Sequence, residues 1–467
     1  MDIRIRFLGA AGTVTGSKYL LEIDDHKIMV DCGLFQGLKE LRLKNREDFP
    51  VNPKEIEAIV LTHAHLDHSG YLPKLCKEGF NGPIYCTEAT ADLVKLLLLD
   101  SAKLMEEEAD YAKKKGYSKH ENPEPLYRTE DVERVLPLLR KFPFRKQVSV
   151  IDRVQATFYN AGHILGASSV ELEVTGIEQK KKLVFSGDIG RYEEPILYEP
   201  DVIKDADILL IESTYGNRKN PQGNPVEKLA DVINKTFDRG GCVLIPAFAV
   251  GRTQNLLYYL KAALDQKLIP EVPVFMDSPM AIAATELYVN HADYHKLSTN
   301  EINEDDSFLS FRRNLQLVRS HDASMAINYV QKDAIIVSAS GMMTGGRILH
   351  HLYNRLPRKN DSLLLVGYQA EGTRGRKIVD GDETIKIFGQ MVPVNCEVVV
   401  VDGLSAHADQ DELLRWTSSI ERHPKRTFIV HGEKESATVF SELLNEIYGW
   451  NTEVPAYLDS YELFKGI

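Results

Sequence analysis

The chain has 467 residues, of which 43% are hydrophobic and 27% are charged, and its formal net charge is −12. The length predicts about two domains of ordinary globular composition. No apolar run approaches the ~18 to 20 residues that span a bilayer, which argues against a membrane protein, and the five scattered cysteines predict reduced thiols and a cytoplasmic location. The acidic balance excludes a protein that coats nucleic acid through bulk electrostatics.

The first part of the chain predicts strands interrupted by helices. Short strands are expected up to residue 30, a helix over Ala89–Gly116, further helical spacing over Glu130–Lys141, and strands again over 154–188. This succession is typical of two sheets sandwiched between helices.

Residues 63–68, with the sequence HAHLDH, hold three imidazoles and a carboxylate directly after an apolar, strand-like run. In an extended segment His63 and His65 point the same way and can bind one ion. Asp67 and His68 stand where a helix is expected to begin, so their side chains would face a second ion. Ligands at this density indicate a two-metal hydrolase site, the alternative being a hydrogen-bonded histidine cluster.

Further candidate ligands follow other apolar runs. His163, Asp188 and His431 each come after a strand-like segment and stand beside or near a glycine, which allows the tight turns that a metal loop requires. Each alone is weak evidence, because a lone histidine is more often buried and hydrogen-bonded and a lone aspartate often caps a helix. Together with residues 63–68 they predict one dinuclear centre.

From residue 223 onward the pattern changes to alternating strands and helices, which predicts a parallel sheet with covering helices and therefore a second domain. Helices are expected over 226–239 and 252–265, and strands over 243–246, 272–276, 335–337 and 363–366. The first pattern resumes near Glu397–Val401. We therefore predict a first domain split around an insert, with parts 1–213 and 395–467 flanking 214–394.

In their order and spacing these residues resemble the metallo-β-lactamase superfamily. Asp31, residues 63–68, His163 and Asp188 correspond to its four ordered motifs, and segments 209–216, 405–409 and 430–433 are similar to the three motifs of the β-CASP nucleases. The resemblance spans essentially the whole chain and extends to the endonuclease of eukaryotic pre-mRNA 3′-end processing and its stand-alone bacterial and archaeal counterparts. It implies an α/β fold, a metallo-β-lactamase αββα sandwich with an inserted β-CASP α/β domain.

The resemblance also implies a cofactor and residue roles. Two Zn²⁺ ions are expected per chain, with Mn²⁺ as the alternative. The first would be held by His63, His65 and His163, the second by Asp67, His68 and His431, and both by Asp188. Asp31 would support the histidine loop without touching metal. His407 would protonate the leaving 3′ oxygen, and Glu212 would orient the imidazole of His407. Asp67 is also expected to be a catalytic residue.

A glycine-rich segment, 338–347, is expected between a strand and a helix of the insert. Backbone N–H groups at a helix start can hold a phosphate, and an aromatic side chain can stack on a base. The predicted RNA-contact residues are Ser338, Ser340, Gly341, Thr344, Arg347, Tyr368 and Arg374. The alternative is a plain glycine-rich turn.

The expected function is that of a zinc-dependent ribonuclease. It would cut single-stranded RNA internally with a two-metal-activated hydroxide and leave 5′-phosphate and 3′-hydroxyl ends. A histidine at position 431 favours RNA, since the RNA-cleaving members carry one there.

A 5′ exonuclease, a DNA-directed nuclease, a small-molecule metallo-hydrolase and a non-catalytic RNA-binding scaffold stay open. A homodimer also stays open, with no residue pattern to support it. The amino-terminal RNA-binding module of many archaeal relatives and the carboxy-terminal domain of the RNase J group are expected to be absent.

Overall fold

The computed structural model describes residues 1–115, 123–177, 179–220, 223–298, 314–367, 369–401 and 404–467. Within these ranges no helix is both long and apolar enough to cross a membrane. The chain divides into two compact units. The first comprises Met1–Glu194, Tyr198–Lys219 and His407–Ile467, and the second Pro195–Leu197 and Asn220–Ala406.

Two seven-stranded sheets form the first unit. In spatial order the first sheet contains Ser460–Phe464, Ile3–Phe7, Tyr19–Ile23, His26–Val30, Ala58–Val60, Ile84–Thr87 and Leu139–Phe142. The second contains Thr452–Glu453, Arg426–Val430, Ile208–Glu212, Lys180–Phe185, Ser168–Thr175, Val154–Asn160 and Gln147–Ile151. Alternate side chains such as Ile3, Ile5 and Phe7 point inward, and those of both sheets share one core.

Helices accompany these sheets. Their bounds are Lys39–Lys44, Leu66–Ser69, Leu72–Lys77, Glu88–Lys115, Thr129–Val135, Gln410–Thr417 and Lys434–Tyr448, with 3₁₀ turns at Pro53–Glu55 and Leu136–Leu138. Glu88–Lys115 contacts two strands at one side of the first sheet. Trp416 and Phe440, from the last two helices, pack with Leu209 and Ile211 in a second core cluster against the second sheet. The predicted succession of sheets and helices is therefore present.

Parallel neighbours in each sheet bring the candidate ligands together. His26–Val30 runs parallel to Ala58–Val60, and Ile208–Glu212 runs parallel to both Lys180–Phe185 and Arg426–Val430. Carboxyl ends of parallel strands meet at one edge of a sheet. Asp31 and residues 63–68 follow strand ends of the first sheet, and Asp188 and His431 follow strand ends of the second. The contacts of His68 with Asp31 and with Asp188 show that the two groups meet.

The second unit contains a six-stranded parallel sheet and a two-stranded hairpin. The sheet order is Leu315–Leu317, Val274–Met276, Ile335–Ser338, Val243–Pro246, Ser362–Leu365 and Glu397–Val400, and the hairpin pairs Thr384–Ile387 with Gln390–Pro393. The helices are Pro225–Asp238, Arg252–Asp265, Pro279–Asn290, His321–Ala326, Ile348–Arg355 and Arg374–Val379, with 3₁₀ turns at Ala292–Tyr294 and Ile327–Tyr329. This architecture follows the predicted strand–helix alternation.

The helical prediction for Glu130–Lys141 is wrong at its end. The helix stops at Val135, a 3₁₀ turn contains Pro137, and Leu139–Phe142 becomes an edge strand parallel to Ile84–Thr87. Proline lacks the N–H that an α-helix needs and crowds the preceding turn. The helix therefore ends, and the chain continues as a strand.

The boundaries of the insert also differ from the prediction. Glu397–Val400, assigned from sequence to the last part of the first domain, pairs in parallel with Ser362–Leu365 in the sheet of the second unit. That hydrogen-bonded ladder ties the strand to the second unit. The units therefore separate after Lys219 and after Ala406 instead of after residues 213 and 394.

Candidate metal centre

The seven predicted ligands form two clusters that share Asp188. One contains His63, His65, His163 and Asp188, and the other contains Asp67, His68, His431 and Asp188. Within each cluster, one ligand atom from every residue lies within 4.8 Å of the others. His65 and Asp67 are partly exposed and the remaining five are buried.

The distances in the first cluster fit one ion. His65 Nδ1 lies 3.2 Å from His63 Nε2 and 3.2 Å from His163 Nε2. Asp188 Oδ2 lies 3.4 Å from His63 Nε2 and 3.5 Å from His163 Nε2. Ligands that each bind a tetrahedral zinc ion at ~2.0 to 2.1 Å stand about 3.3 to 3.4 Å apart. The observed spacings match that tetrahedral edge.

The second cluster has the same spacing. His68 Nε2 lies 3.3 Å from Asp188 Oδ1 and 3.2 Å from His431 Nε2. Asp67 Oδ2 lies 3.3 Å from His431 Nε2 and 3.9 Å from His68 Nε2. The two oxygens of Asp188 thus face different clusters, which is the geometry of a bridging carboxylate.

The electrostatics also suit cations. Burial lowers the pKa of His63 well below its usual value and that of His65 to about 4, so both rings are neutral, as metal ligands must be. Burial alone would raise the pKa of Asp188, but the imidazoles of His431 and His68 outweigh it and hold that pKa well below its usual value. Asp188 Oδ1 is buried and accepts no hydrogen bond from any described residue. A cation would satisfy this oxygen.

Three side chains outside the clusters orient the rings. Asp31 Oδ2 lies 2.7 Å from His68 Nδ1, so His68 Nε2 faces the cluster. Thr62 Oγ1 lies 3.1 Å from His63 Nδ1, and Thr214 Oγ1 lies 3.1 Å from His431 Nδ1. Such contacts set ring orientation and ligand basicity. Neither threonine was predicted from the sequence, although Thr62 stands next to His63 and Thr214 lies within segment 209–216.

A neighbouring loop holds the backbone of Asp67. Gly33 packs so closely there that a Cβ on it would lie 1.6 Å from Asp67 O. Ser17 N donates to Asp67 O at 2.8 Å, and Lys18 Nζ donates to Gly33 O at 2.6 Å. Ser17 and Lys18 could not be predicted from the sequence, because nothing in their local pattern indicates this contact.

His407 and Glu212 form a third group with Asp188. Glu212 is fully buried, and both of its carboxylate oxygens lie 3.3 Å from His407 Nδ1. Ile189, directly after Asp188, donates its N–H to Glu212 Oε1 at 2.6 Å and accepts from Ala408 N at 2.8 Å. The segment that carries the shared ligand therefore positions both residues.

This pair can hold a proton beside the first cluster. Burial lowers the pKa of His407, but the Glu212 carboxylate opposes it and the net pKa is raised. The His407 ring centroid lies 4.5 Å from that of His163. A protonated imidazole whose Nδ1 faces Glu212 can act as a general acid through Nε2.

The predicted RNA-contact residues that the structure describes lie in the second unit, and Tyr368 falls outside the described residues. Arg347 Nη1 donates to Asp277 Oδ1 at 2.6 Å and to Val318 O at 2.9 Å. Arg374 Nη1 donates to Met343 O at 3.2 Å and Thr344 O at 3.1 Å. Both guanidinium groups therefore also support the glycine-rich loop from within the unit.

The smaller predicted residues build the same loop. Ser338 is 1% exposed, and its hydroxyl donates to Asp277 O at 2.9 Å. Ser340 Oγ accepts from Thr344 N at 3.0 Å, and Thr344 is exposed. A Cβ on Gly341 would lie 2.8 Å from the Phe248 ring, so the close packing requires glycine.

Three family models match the chain. One described as the metallo-beta-lactamase superfamily matches residues 11–231, and the Beta-Casp domain matches 253–378. A third, described as the Zn-dependent metallo-hydrolase RNA specificity domain, matches 391–455. The first and third together contain all the residues of the two ligand clusters.

Similar proteins come from bacteria and archaea. Ribonuclease TTHA0252 of Thermus thermophilus is 37% identical over 445 residues, covering 95% of this chain and 96% of that protein. Transcription termination factor FttA of Methanosarcina mazei is 34% identical over 96% of this chain and 69% of that protein. An RNase J-like protein of Methanocaldococcus jannaschii is 30% identical over 98% of each. A crystal structure of a protein of unknown function from Enterococcus faecalis covers 99% of this chain with TM-score 0.52 and 13% identity, a likeness of fold alone.

Proposed function

The chain belongs to the β-CASP family of the metallo-β-lactamase superfamily, and from this premise we propose that it is a zinc-dependent endoribonuclease that cuts single-stranded RNA. The observation that carries the proposal is the pair of ligand clusters sharing Asp188, with His407 and Glu212 beside them. The name of one relative, a ribonuclease, and the RNA specificity domain matched over 391–455 support RNA as the substrate.

The donor set supports zinc as the cofactor. Imidazoles and carboxylates, with no thiolate among them, suit Zn²⁺, and Mn²⁺ is the alternative. His63, His65 and His163 would hold one ion, Asp67, His68 and His431 the other, and Asp188 both. When bound, such ions lower the pKa of water and stabilise negative charge on a phosphoryl group.

The chain supplies the proton for the leaving group. His407 stands beside the first cluster with Nδ1 anchored on Glu212, so its Nε2 can donate to the departing 3′ oxygen. Hydrolysis in which water attacks phosphorus and the 3′ oxygen departs leaves 5′-phosphate and 3′-hydroxyl ends. Glu212 acts through His407, since its oxygens also accept from Ile189 N and Thr214 N.

Two substitutions separate metal binding from proton transfer. In His65→Ala we expect loss of both bound metal and cleavage, because a ligand of the first cluster is gone. In His407→Ala we expect retained metal and a roughly 10²- to 10⁴-fold slower cleavage, the usual contribution of a general acid. Metal content by elemental analysis and single-turnover cleavage of RNA check both.

The exposed His423 provides a matched control, since His423→Ala should change neither quantity. Equal metal loss in His65→Ala and His407→Ala would contradict the division of roles.

A further inference from the structure

Three aromatic side chains lie exposed together on the second unit. The centroid of the Phe388 ring lies 4.7 Å from that of His350 and 6.2 Å from that of Tyr353. Phe388 is 45% exposed, Tyr353 is 37% exposed, and His350 is also exposed. We call Phe388, His350 and Tyr353 the aromatic platform.

Phe388 occupies a backbone position that disfavours it. Residues 388 and 389 form the two-residue turn between the paired Ile387 and Gln390, with φ of 50° at Phe388 and 83° at Gly389. Positive φ at both positions is the mark of a type I′ turn, in which Asn, Asp or Gly usually comes first. A bulky residue there is a genuine outlier, and such outliers cluster at ligand-binding sites. The half-exposed ring at this strained position is therefore a candidate for contact with a ligand.

The platform adjoins the glycine-rich loop 338–347. Arg374 connects the two, because its Nε donates to Lys386 O in the hairpin at 3.0 Å and its Nη1 donates to Met343 O and Thr344 O in the loop. His350 lies in Ile348–Arg355, the helix that follows the loop. Lys386 is exposed two residues before the turn. An exposed aromatic surface and an exposed ammonium group thus stand beside a glycine-rich loop in which Thr344 is exposed.

We propose that the aromatic platform stacks on an unpaired base of RNA whose backbone follows loop 338–347. Aromatic faces accept any base, which is how proteins bind single strands without sequence preference. Lys386 would pair with a neighbouring phosphate. The inference rests on the proposed function, since it assigns a binding subsite for the same RNA substrate. The platform contributes to the affinity for RNA and takes no part in bond cleavage.

Phe388→Asn tests the platform because asparagine suits the turn and removes the ring. The melting temperature should stay equal or rise, since the strain at residue 388 is relieved. KM for cleavage of an oligoadenylate should rise roughly 5- to 150-fold, the range for one base–aromatic stack, while kcat is unchanged. Tyr329→Asn is the matched control, since Tyr329 is 80% exposed in the same unit outside the platform. Its KM should equal that of the wild type.

An abasic oligoribonucleotide, used as a competitive inhibitor, separates stacking from phosphate contacts. Wild type and Phe388→Asn should bind it equally, because it has no base to stack. If Phe388→Asn is active and has the same KM as wild type, the proposed stacking on the platform is wrong and the proposed function is left intact. Absence of RNA cleavage in all variants and in wild type would instead reject the proposed function. A shift from dimer to monomer in Phe388→Asn at unchanged KM would identify a contact between copies and overturn the proposal.

Discussion

At the residue scale, one carboxylate outside the clusters contacts the ring of a predicted metal ligand. Asp31 is 1% exposed and accepts from Thr62 N at 2.8 Å as well as facing His68 Nδ1 at 2.7 Å. Its left-handed backbone, with φ of 61°, turns the chain directly after Val30. Because His68 Nδ1 is engaged by Asp31, the lone pair of His68 Nε2 is left for the second cluster.

Asp31→Asn should weaken the second cluster selectively. The neutral amide attracts the Nδ1–H group less strongly, and loss of an outer partner of this kind typically lowers metal affinity about 10- to 100-fold. Zinc titration against a chelator should show one unchanged site and one weakened site. Asp25→Asn, at an exposed position in the adjoining turn, should leave both sites unchanged. Equal weakening of both sites would contradict the role assigned to Asp31.

The ligand positions could be predicted from sequence because they depend on local spacing and on strand ends. The predicted family, enzyme class and fold class are confirmed by the matching family models and relatives. The roles of single residues stay predictions. Arg347 shows why some partners could not be foreseen, because it pairs with Asp277, 70 residues earlier in the chain. Such a pair depends on the order of the strands in the sheet, which the sequence does not reveal.

At the scale of elements, loops between strands position the predicted metal ligands. Gly33 packs against the backbone of Asp67, and Lys18 Nζ donates to the Gly33 carbonyl. Lys18 Nζ also lies 4.3 Å from the centroid of the Phe35 ring. Lys18 is only 3% exposed. Burial lowers its pKa to about 8 from 10.5, an effect that the nearby Cys32 thiol opposes.

This lysine should make stability depend on pH. Between pH 8 and 10.5 the unfolded chain still carries the proton that folded Lys18 has lost. The contribution of Lys18 to the free energy of unfolding therefore rises with pH, by about 3 kcal/mol across that window. Urea unfolding at both ends of the window checks this. Between pH 8 and 10.5 the free energy of unfolding of wild type should rise by that amount relative to that of Lys18→Met. Parallel pH profiles of the two proteins would contradict the prediction.

At the scale of the whole molecule, the chain combines an acidic surface with a substrate expected to be an anion. The net charge is −12, and Arg347 and Arg374 donate hydrogen bonds inside the second unit. The proposed RNA substrate would therefore be bound through local contacts instead of bulk charge. The presence of a second unit could be predicted from the strand–helix alternation, but its exact boundary could not. Glu397–Val400 belongs to the second unit because of its hydrogen-bonded ladder with Ser362–Leu365, which the sequence does not reveal.

The salt dependence of RNA affinity should accordingly be shallow. Each phosphate contact on a single strand contributes about −0.7 to the slope of log K against log salt concentration, and a slope of roughly −2 to −3 is expected. Fluorescence anisotropy of a labelled oligoribonucleotide with metal-free protein measures it. A slope steeper than about −7 would indicate a strand coated by ten or more lysines and arginines and would contradict this view.

The first experiment on the proposed ribonuclease activity incubates purified protein, zinc-loaded or metal-stripped, with a single-stranded RNA labelled along its length and with DNA of the same sequence. Products are then resolved by size. We expect internal RNA fragments that require zinc, with little cleavage of DNA. Intact RNA in the presence of fully metal-loaded protein would contradict the account, and a ladder of mononucleotides would contradict its endonucleolytic part.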